Sequence, residues 1–268
     1  MSEYISTFDG LKLYFHKEVD ASAKAVCVIV HGLCEHQGRY DYLAEKFHEA
    51  GIGTYRFDHR GHGKSEGEEA HYDDFTQILK DVNVVVDKAI EENPDRKVFL
   101  LGHSMGGYAV ALYGAMYPGK RLSGIVSSGA LVRDNRGLIR GVPSGLDPHT
   151  RLPNKLGDGV CSVKSVVDWY GKDPLNRKSF TAGLCYSILS GIDWFSTHSK
   201  QFAYPVLMLH GQNDGLVSYK DTLEFFDMVS SVDKQYKIYG GLYHEIFNEY
   251  CRDETISDGI HWIENRWA

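Results

Sequence analysis

A serine placed between glycines is the residue of this chain best suited to covalent chemistry. The sequence Gly-His-Ser-Met-Gly occupies 102–106, directly after the apolar run 98–101 and before a helix-like run at 108–117. This context predicts a nucleophile elbow, a sharp turn between a strand and a helix that presents the hydroxyl of Ser104 at the edge of a sheet. By itself the five-residue pattern fits a tight structural turn equally well. The strand before it and the helix after it favour a catalytic serine.

A serine hydroxyl is a weak nucleophile, so it needs a histidine to take its proton and an acid to orient that histidine. Asp214 and His244 each lie just beyond a predicted strand. Parallel strands end at the same edge of a sheet, so we predict that both residues converge on Ser104, in the chain order Ser, Asp, His. Asp168 and Asp193 are weaker candidates for the acid, because both fall outside the strand–helix pattern. A plain turn at Asp214 is the alternative.

Acyl transfer also requires hydrogen-bond donors aimed at the oxyanion that forms. The elbow supplies the backbone N–H of Met105, and the loop after the first central strand offers the N–H of Leu33. The adjacent Cys34 would make the protein sensitive to bulky thiol reagents if its side chain bordered the site. A buried and inert thiol is the alternative interpretation of Cys34.

Hydrophobic patterning predicts the elements that position these residues. An Asp-Gly pair at 9–10 separates two short runs of strand type, which indicates an antiparallel hairpin near the start of the chain. Further along, short apolar runs alternate with segments of helical periodicity. This alternation predicts an α/β fold with a mainly parallel central sheet and helices on both faces.

The predicted core comprises residues 1–130 and 205–268, and residues 131–204 form an insertion that caps the sheet. A structureless loop of that length is rare in a compact domain, so short amphipathic helices are expected at 163–170 and 181–195. The insertion carries ten Lys and Arg against six Asp, a formal charge of +4, and the rest of the chain carries −11, for a total of −7. Such a segment could make peripheral contact with an anionic membrane, or it could be a solvated face.

The composition narrows the class of protein. No run of about 18 apolar residues is present, so no membrane span is expected. The first residues lack the basic start and apolar stretch of a secretory signal, which predicts a cytoplasmic protein. Five cysteines without a Cys-x-x-Cys spacing argue against a disulfide framework and against a zinc site. We expect no metal, no other cofactor and no nucleic-acid partner, and the oligomeric state is left open.

Several longer segments resemble one enzyme family. They are HGLCEHQGRY at 31–40, DHRGHGKSEG at 58–67, GHSMGG at 102–107, DWYGKDPL at 168–175 and KIYGGLYH at 237–244. With them the chain resembles the monoglyceride lipase and lysophospholipase group of α/β-hydrolases over nearly its whole length. The resemblance implies the α/β-hydrolase fold with a helical lid at 131–204, a triad of Ser104, Asp214 and His244, and an oxyanion hole formed by Leu33 and Met105.

The same resemblance implies that Glu35, Arg39 and Tyr170 surround the glycerol end of a substrate. A carboxylate, a guanidinium and a phenol can hold hydroxyls that an apolar tunnel cannot. A structural ion pair between Glu35 and Arg39 is the alternative. The segment 58–67 is expected to be structural, because its glycines suit a tight loop.

We therefore expect a cofactor-free serine hydrolase that cleaves carboxylic esters of monoacylglycerol type through an acyl-enzyme intermediate, with a small lipid ester as its partner. A lysophospholipase, a short-chain or aryl carboxylesterase and an aminopeptidase are the alternatives among enzymes. A non-catalytic lipid-binding protein on the same scaffold is the alternative from another class, because fold does not determine function.

Overall fold

The computed structural model describes residues 2–155, 157 and 159–267, and an eight-stranded sheet runs through its centre. Across this sheet the first two pairs of strands are antiparallel and the other five pairs are parallel. In chain order the strands of the described residues are β1 (Ser2–Ser6), β2 (Lys12–Glu18), β3 (Ala25–Val30), β4 (Ile52–Phe57), β5 (Lys97–His103), β6 (Gly124–Ser128), β7 (Arg151–Pro153), β8 (Ser179–Thr181), β9 (Val206–Gly211) and β10 (Lys234–Tyr239). The order in the large sheet is β1-β2-β4-β3-β5-β6-β9-β10, and β7 and β8 form a separate hairpin.

Helices cover both faces of the sheet. In chain order the helices of the described residues are α1 (Asp41–Glu49), α2 (Phe75–Glu92), α3 (Met105–Met116), α4 (Lys164–Lys172), α5 (Ala182–His198), α6 (Tyr219–Met228) and α7 (Arg252–Trp267), with short 3-10 turns at 37–40, 199–201 and 246–248. Alternate residues of β3 face opposite layers: Val26 and Val28 pack in the cluster that contains α2, α3 and α5, and Cys27 and Ile29 pack in the cluster that contains α1 and α7. A strand buried on both faces has to be apolar at every position, as β3 is. The predicted α/β fold is confirmed.

A buried carboxylate stabilises the loop after β4, as expected for the segment 58–67. The carboxylate of Asp58 accepts the backbone N–H of Gln37 and of Lys64, each at 2.8 Å. A Cβ on Gly63 would lie 2.2 Å from Asp58 Oδ2, so the loop can close around this carboxylate only because residue 63 has no side chain.

The described residues of 131–204 supply no strand to the large sheet, and helices α4 and α5 lie where the periodicity predicts them. The β7–β8 hairpin was not predicted, because strands of three residues are too short to show an alternating pattern. Helix α5 is anchored on α2 and α3 so closely that a Cβ on Gly191 would lie 1.8 Å from the hydroxyl of Tyr108. Helix α4, by contrast, buries only Tyr170. The two helices are therefore attached to the core with very different strength.

Among the described residues, none of the helices has the length and apolar character needed to cross a bilayer.

Candidate functional site

Ser104 lies in a strained turn between β5 and α3. Its φ of +56° and ψ of −117° are backbone angles that residues with a side chain rarely adopt. A Cβ on Gly102 would lie 2.2 Å from the carbonyl oxygen of Gly106, and a Cβ on Gly106 would lie 2.1 Å from that of Val30. Glycine at both positions lets α3 approach β5 and β3 closely enough to impose the turn. The sharp strand-to-helix turn predicted at Ser104 is present.

Asp214 and His244 are in direct contact. Asp214 follows β9 and His244 follows the adjacent parallel strand β10, so their loops meet at one edge of the sheet. His244 Nδ1 lies 2.6 Å from Asp214 Oδ2, and the backbone N–H groups of Leu216 and Val217 each donate to Asp214 Oδ1 at 2.8 Å. Burial opposes ionisation of Asp214, but His244 and the other donors hold its pKa far below the usual range. The carboxylate is therefore charged at neutral pH.

A second histidine, His210, contacts the same carboxylate. Its Nε2 lies 2.9 Å from Asp214 Oδ2 and 3.2 Å from the carbonyl oxygen of Val217. Both of these atoms are acceptors, so Nε2 carries a proton, and Nδ1 accepts from the hydroxyl of Thr222 at 2.7 Å. The sequence analysis did not single out His210, although a histidine near the end of a strand and four residues before the acid was a visible signal.

The protonation of His244 is set by its buried surroundings. Burial alone lowers the pKa of His244, but the charge of Asp214 and the hydrogen bond to it, with smaller contributions from Glu245 and Glu35, raise that pKa above its ordinary value. The ring of His103 lies 4.6 Å from the ring of His244. Burial, followed by repulsion from His244, lowers the pKa of His103 to about 3. His103 is therefore neutral at neutral pH, and of these two rings His244 is the one able to accept a proton.

The loop that carries Leu33 packs against the turn at Ser104. A Cβ on Gly32 would lie 3.1 Å from Ser104 Cβ. Ser104, Leu33 and His244 line one cavity of about 20 Å³, which is room for about one water molecule. Met105 is the first residue of α3, and the first N–H groups of a helix have no intrahelical partner. The two backbone amides predicted to bind an oxyanion thus belong to the segments that adjoin Ser104.

A buried charge network lies beside this cavity. Arg39 donates to Glu35 at 2.5 Å and to the two carboxylate oxygens of Glu245 at 2.8 and 2.7 Å. Its guanidinium also lies 4.9 Å from the centre of the Tyr170 ring. The ion pair that the sequence analysis gave as an alternative for Glu35 and Arg39 is therefore formed, and it includes Glu245, which the sequence analysis did not single out.

The network carries a net negative charge, because two carboxylates share one guanidinium. Burial opposes ionisation of Glu35, but Arg39 and further hydrogen bonds lower its pKa below the usual value. Glu35, Glu245 and Tyr170 line the cavity together with Ser104. These three side chains therefore face any group bound next to Ser104.

Arg39 separates the cavity from a larger groove on the surface. The groove has a volume of about 680 Å³, lies along α4, and is lined by Arg39, Trp169 and Leu175 among others. Trp169 is 60 % exposed there. Since Arg39 lines the groove and contacts Tyr170, Glu35 and Glu245, it forms part of the wall between the two spaces.

Cys34 is not among the residues that line the cavity. Its side chain is fully buried, and burial raises the pKa of its thiol far above the ordinary value. The thiolate is the reactive form of cysteine, so this thiol is unreactive. The structure therefore supports the buried and inert alternative over sensitivity to thiol reagents.

Comparisons with known proteins place the chain in a family of hydrolases. A family model described as serine aminopeptidase, S33 matches residues 21–250. A monoacylglycerol lipase of Mycolicibacterium smegmatis is 34 % identical over 251 residues, which cover 91 % of this chain and 89 % of that protein. The human monoglyceride lipase is 34 % identical over 260 residues, which cover 91 % and 84 %. The crystal structure of a monoacylglycerol lipase from Paleococcus ferrophilus has a TM-score of 0.83 at 29 % identity, with 95 % of this chain and 99 % of that chain covered.

Proposed function

Because the chain belongs to this serine hydrolase family of α/β-hydrolase fold, we propose that it hydrolyses monoacylglycerols to a fatty acid and glycerol. The observation that carries the proposal is the buried contact of His244 with Asp214, because His244 also lines the same cavity as Ser104. The names of the similar proteins support the substrate class.

In the proposed mechanism, Ser104 Oγ attacks the ester carbonyl while His244 Nε2 takes the hydroxyl proton. The N–H groups of Leu33 and Met105 stabilise the oxyanion, and the loss of either donor costs about 3 kcal/mol of transition-state stabilisation. Collapse of the intermediate breaks the bond to glycerol, which leaves with the proton from His244, and an acyl ester remains on Ser104. His244 then removes a proton from water, which attacks the acyl ester. Collapse of this second intermediate breaks the bond to Ser104 Oγ, which takes the proton back from His244, and the fatty acid is released. Asp214 stays ionised throughout and stabilises the imidazolium.

The charge network favours a neutral leaving group over the phosphate of a lysophospholipid. Glu35 and Glu245 face the cavity, and one guanidinium does not neutralise both. A phosphate placed there would meet like charge in a buried site, where repulsion is weakly screened.

The proposal is tested by labelling and by a substrate panel. A fluorophosphonate probe should label the wild-type protein, whereas a non-catalytic binding protein would remain unlabelled. The panel compares a monoacylglycerol, the ethyl ester of the same fatty acid and the corresponding lysophospholipids, with kcat/KM as the measurement. A higher kcat/KM for a lysophospholipid than for the monoacylglycerol would contradict the proposed substrate class.

We expect the hydroxyl of Tyr170 to contribute to recognition of the glycerol group. Tyr170 lines the cavity, and its hydroxyl accepts a hydrogen bond from Asn154 at 3.0 Å. Tyr170→Phe should therefore lower kcat/KM for a monoacylglycerol by about 1 to 3 kcal/mol and leave the ethyl ester nearly unaffected. Tyr186→Phe, which removes another tyrosine hydroxyl from the same segment, is the matched control. Equal losses on both esters would show that Tyr170 only supports the structure.

We further propose that 131–204 acts as a lid and that α4 is its mobile part. A cavity of about 20 Å³ cannot admit an acyl chain, so its wall, which includes Tyr170, has to move before substrate binds. Helix α4 buries only Tyr170, whereas α5 is packed on the core. Displacement of α4 would carry Tyr170 away from Arg39 and join the cavity to the groove.

The exposed face of α4 supports peripheral contact of this lid with an anionic membrane. Lys164 and Lys172 are exposed on the same short helix as Trp169, and tryptophan is typical of membrane interfaces. Trp169→Ala should weaken binding to vesicles that contain phosphatidylglycerol by about 1.5 to 3 kcal/mol, measured by co-sedimentation. Tyr4→Ala removes an exposed aromatic from β1, an edge strand of the large sheet, and should not change vesicle binding. Equal binding of the Trp169→Ala variant and the wild type would contradict the membrane contact.

Cytoplasmic residence also remains a proposal. It is supported by the five cysteines, all of which are free thiols in the structure.

A further inference from the structure

A cluster of metal-ligating side chains lies apart from the cavity of Ser104. One possible ligand atom from each of Glu68, His71 and His149 falls within 4.8 Å of the other two. His149 Nδ1 lies 2.9 Å from a carboxylate oxygen of Glu68, and the rings of His71 and His149 stack with their centres 4.8 Å apart and their planes at 19°. None of the three residues lines the cavity or the groove described above.

The hydrogen bonds around His71 determine which of its nitrogens is free to bind a cation. The hydroxyl of Thr181 donates its one proton to the carbonyl oxygen of Ala70 at 3.2 Å and accepts the N–H of Leu184 at 3.1 Å. With its proton on Ala70, the hydroxyl can accept from His71 Nδ1 at 2.9 Å. This tautomer has the ring proton on Nδ1 and leaves the lone pair of Nε2 for a cation.

This lone pair faces another acceptor. His71 Nε2 lies 3.3 Å from Asp73 Oδ1, a distance that a ring proton bridges in the other tautomer and that a cation would bridge in this one. The ring cannot move away easily, because it is buried and packs against Gly183, where a Cβ would lie 2.7 Å from His71 Cε1. Histidines that bind metals usually have their other ring N–H held by a hydrogen bond, as the Thr181 hydroxyl would hold Nδ1–H here.

From this arrangement we propose that His71, His149 and Glu68, with Asp73 as a further oxygen donor, bind a Zn²⁺ ion. Two imidazole nitrogens and carboxylate oxygens are a ligand set typical of zinc. His149 and Glu68 lie at the surface, with 62 % and 42 % of their side chains exposed, so His149 can leave its stacked position on His71 and turn its ring nitrogen toward an ion. The sequence analysis expected no metal because it considered only the spacing of cysteines, and these ligands come from two distant segments.

The ion would join the lid to the core. His149 belongs to 131–204 and lies just before β7, whereas Glu68, His71 and Asp73 belong to the loop between β4 and α2. Bound Zn²⁺ would therefore fix the β7–β8 end of the lid and leave α4 free. The proposal is independent of the ester chemistry at Ser104.

Isothermal titration with Zn²⁺ near neutral pH tests the site. The full chain is used in a Cys251→Ser background, because Cys251 is the least buried of the five thiols and could bind zinc itself. We expect one site of micromolar affinity, weakened at least tenfold by His149→Ala and by Glu68→Gln. His261→Ala, which removes another exposed histidine, is the control and should leave the affinity unchanged. Absence of binding in the parent protein, or equal binding in the His149→Ala variant, would overturn the proposal.

The role of Thr181 gives a second, independent readout. Thr181→Val removes the acceptor that holds the proton on His71 Nδ1, so it should weaken Zn²⁺ binding by about 10- to 100-fold, whereas Thr181→Ser should preserve it. Thermal unfolding of each variant without metal shows whether the fold is intact. Equal Zn²⁺ affinity of the valine and serine variants would mean that the orientation of His71 does not matter, and the site as proposed would be wrong.

Discussion

Replacing Ser104 by alanine should reduce turnover of a monoacylglycerol by about 10⁶-fold, because the residues of a catalytic triad act as one unit and the nucleophile is lost. Labelling by a fluorophosphonate should disappear at the same time. The fold should not change, because alanine keeps the Cβ that already fits the turn between β5 and α3. Measurement of kcat together with Tm separates loss of chemistry from loss of structure. Ser196→Ala, on the exposed side of α5, is the matched control.

The same position provides a test of the strain in the turn. Ser104 has a φ of +56°, and such a conformation costs on the order of 1 to 3 kcal/mol for a residue with a side chain. Ser104→Gly should therefore unfold at a higher temperature than Ser104→Ala, although both are inactive. Residual activity of purified Ser104→Ala near the wild-type level would contradict the mechanism.

The parts of the site that the sequence predicted are those that depend on chain order and sheet topology. Ser104, Asp214 and His244 each follow a strand, and parallel strands deliver the loops that follow them to one edge. The fold was predictable for the same reason, since strands buried on both faces, such as β3, are apolar throughout and helices show their own period.

The parts that the sequence could not predict depend on contacts between segments far apart in the chain. Glu245 and Arg39 are 206 residues apart in the chain, and the hydrophobic pattern of the sequence does not predict that they form an ion pair. The wall of the cavity at Tyr170 likewise depends on contacts between distant segments, such as that of Tyr170 with Arg39. His210 is an intermediate case, because its position near the end of β9 was visible but its hydrogen bond to Asp214 was not.

The charge network shows how the fold can couple recognition to opening. Arg39 is held by two buried carboxylates and at the same time stacks on Tyr170, the only buried residue of α4. Motion of α4 would break the stacking without breaking the ion pairs, since stacking of a cation on an aromatic ring contributes only about 0.5 to 2 kcal/mol. Tyr170 would move with α4, whereas Glu35 and Arg39, the other two residues expected at the glycerol end of a substrate, would stay in place.

Asp214→Asn should lower kcat by about 10⁴-fold without removing the nucleophile. All four neighbours of this carboxylate are donors: His210, His244 and the N–H groups of Leu216 and Val217. An asparagine offers only one acceptor oxygen, so in either orientation its NH₂ group faces a donor. With the NH₂ group at the position of Oδ2, the ring of His244 loses the acceptor that holds its proton on Nδ1, and with the oxygen there it keeps only an uncharged acceptor. A Ser104 that still reacts slowly with a fluorophosphonate in this variant would show that the nucleophile is in place.

The pH dependence of kcat/KM should differ between the wild type and the Asp214→Asn variant, in a direction that follows from the pKa of His244. The ring has to be neutral to accept the proton of Ser104, so kcat/KM falls as the pH drops through the pKa of His244. In the wild type Asp214 raises this pKa above its ordinary value, so the acid limb should lie above the range of a free histidine. In Asp214→Asn the raising charge is gone and the lowering effect of burial remains, so the limb should move to lower pH while the plateau falls. An acid limb at the same pH in both proteins would show that the limb does not report the titration of His244 beside Asp214.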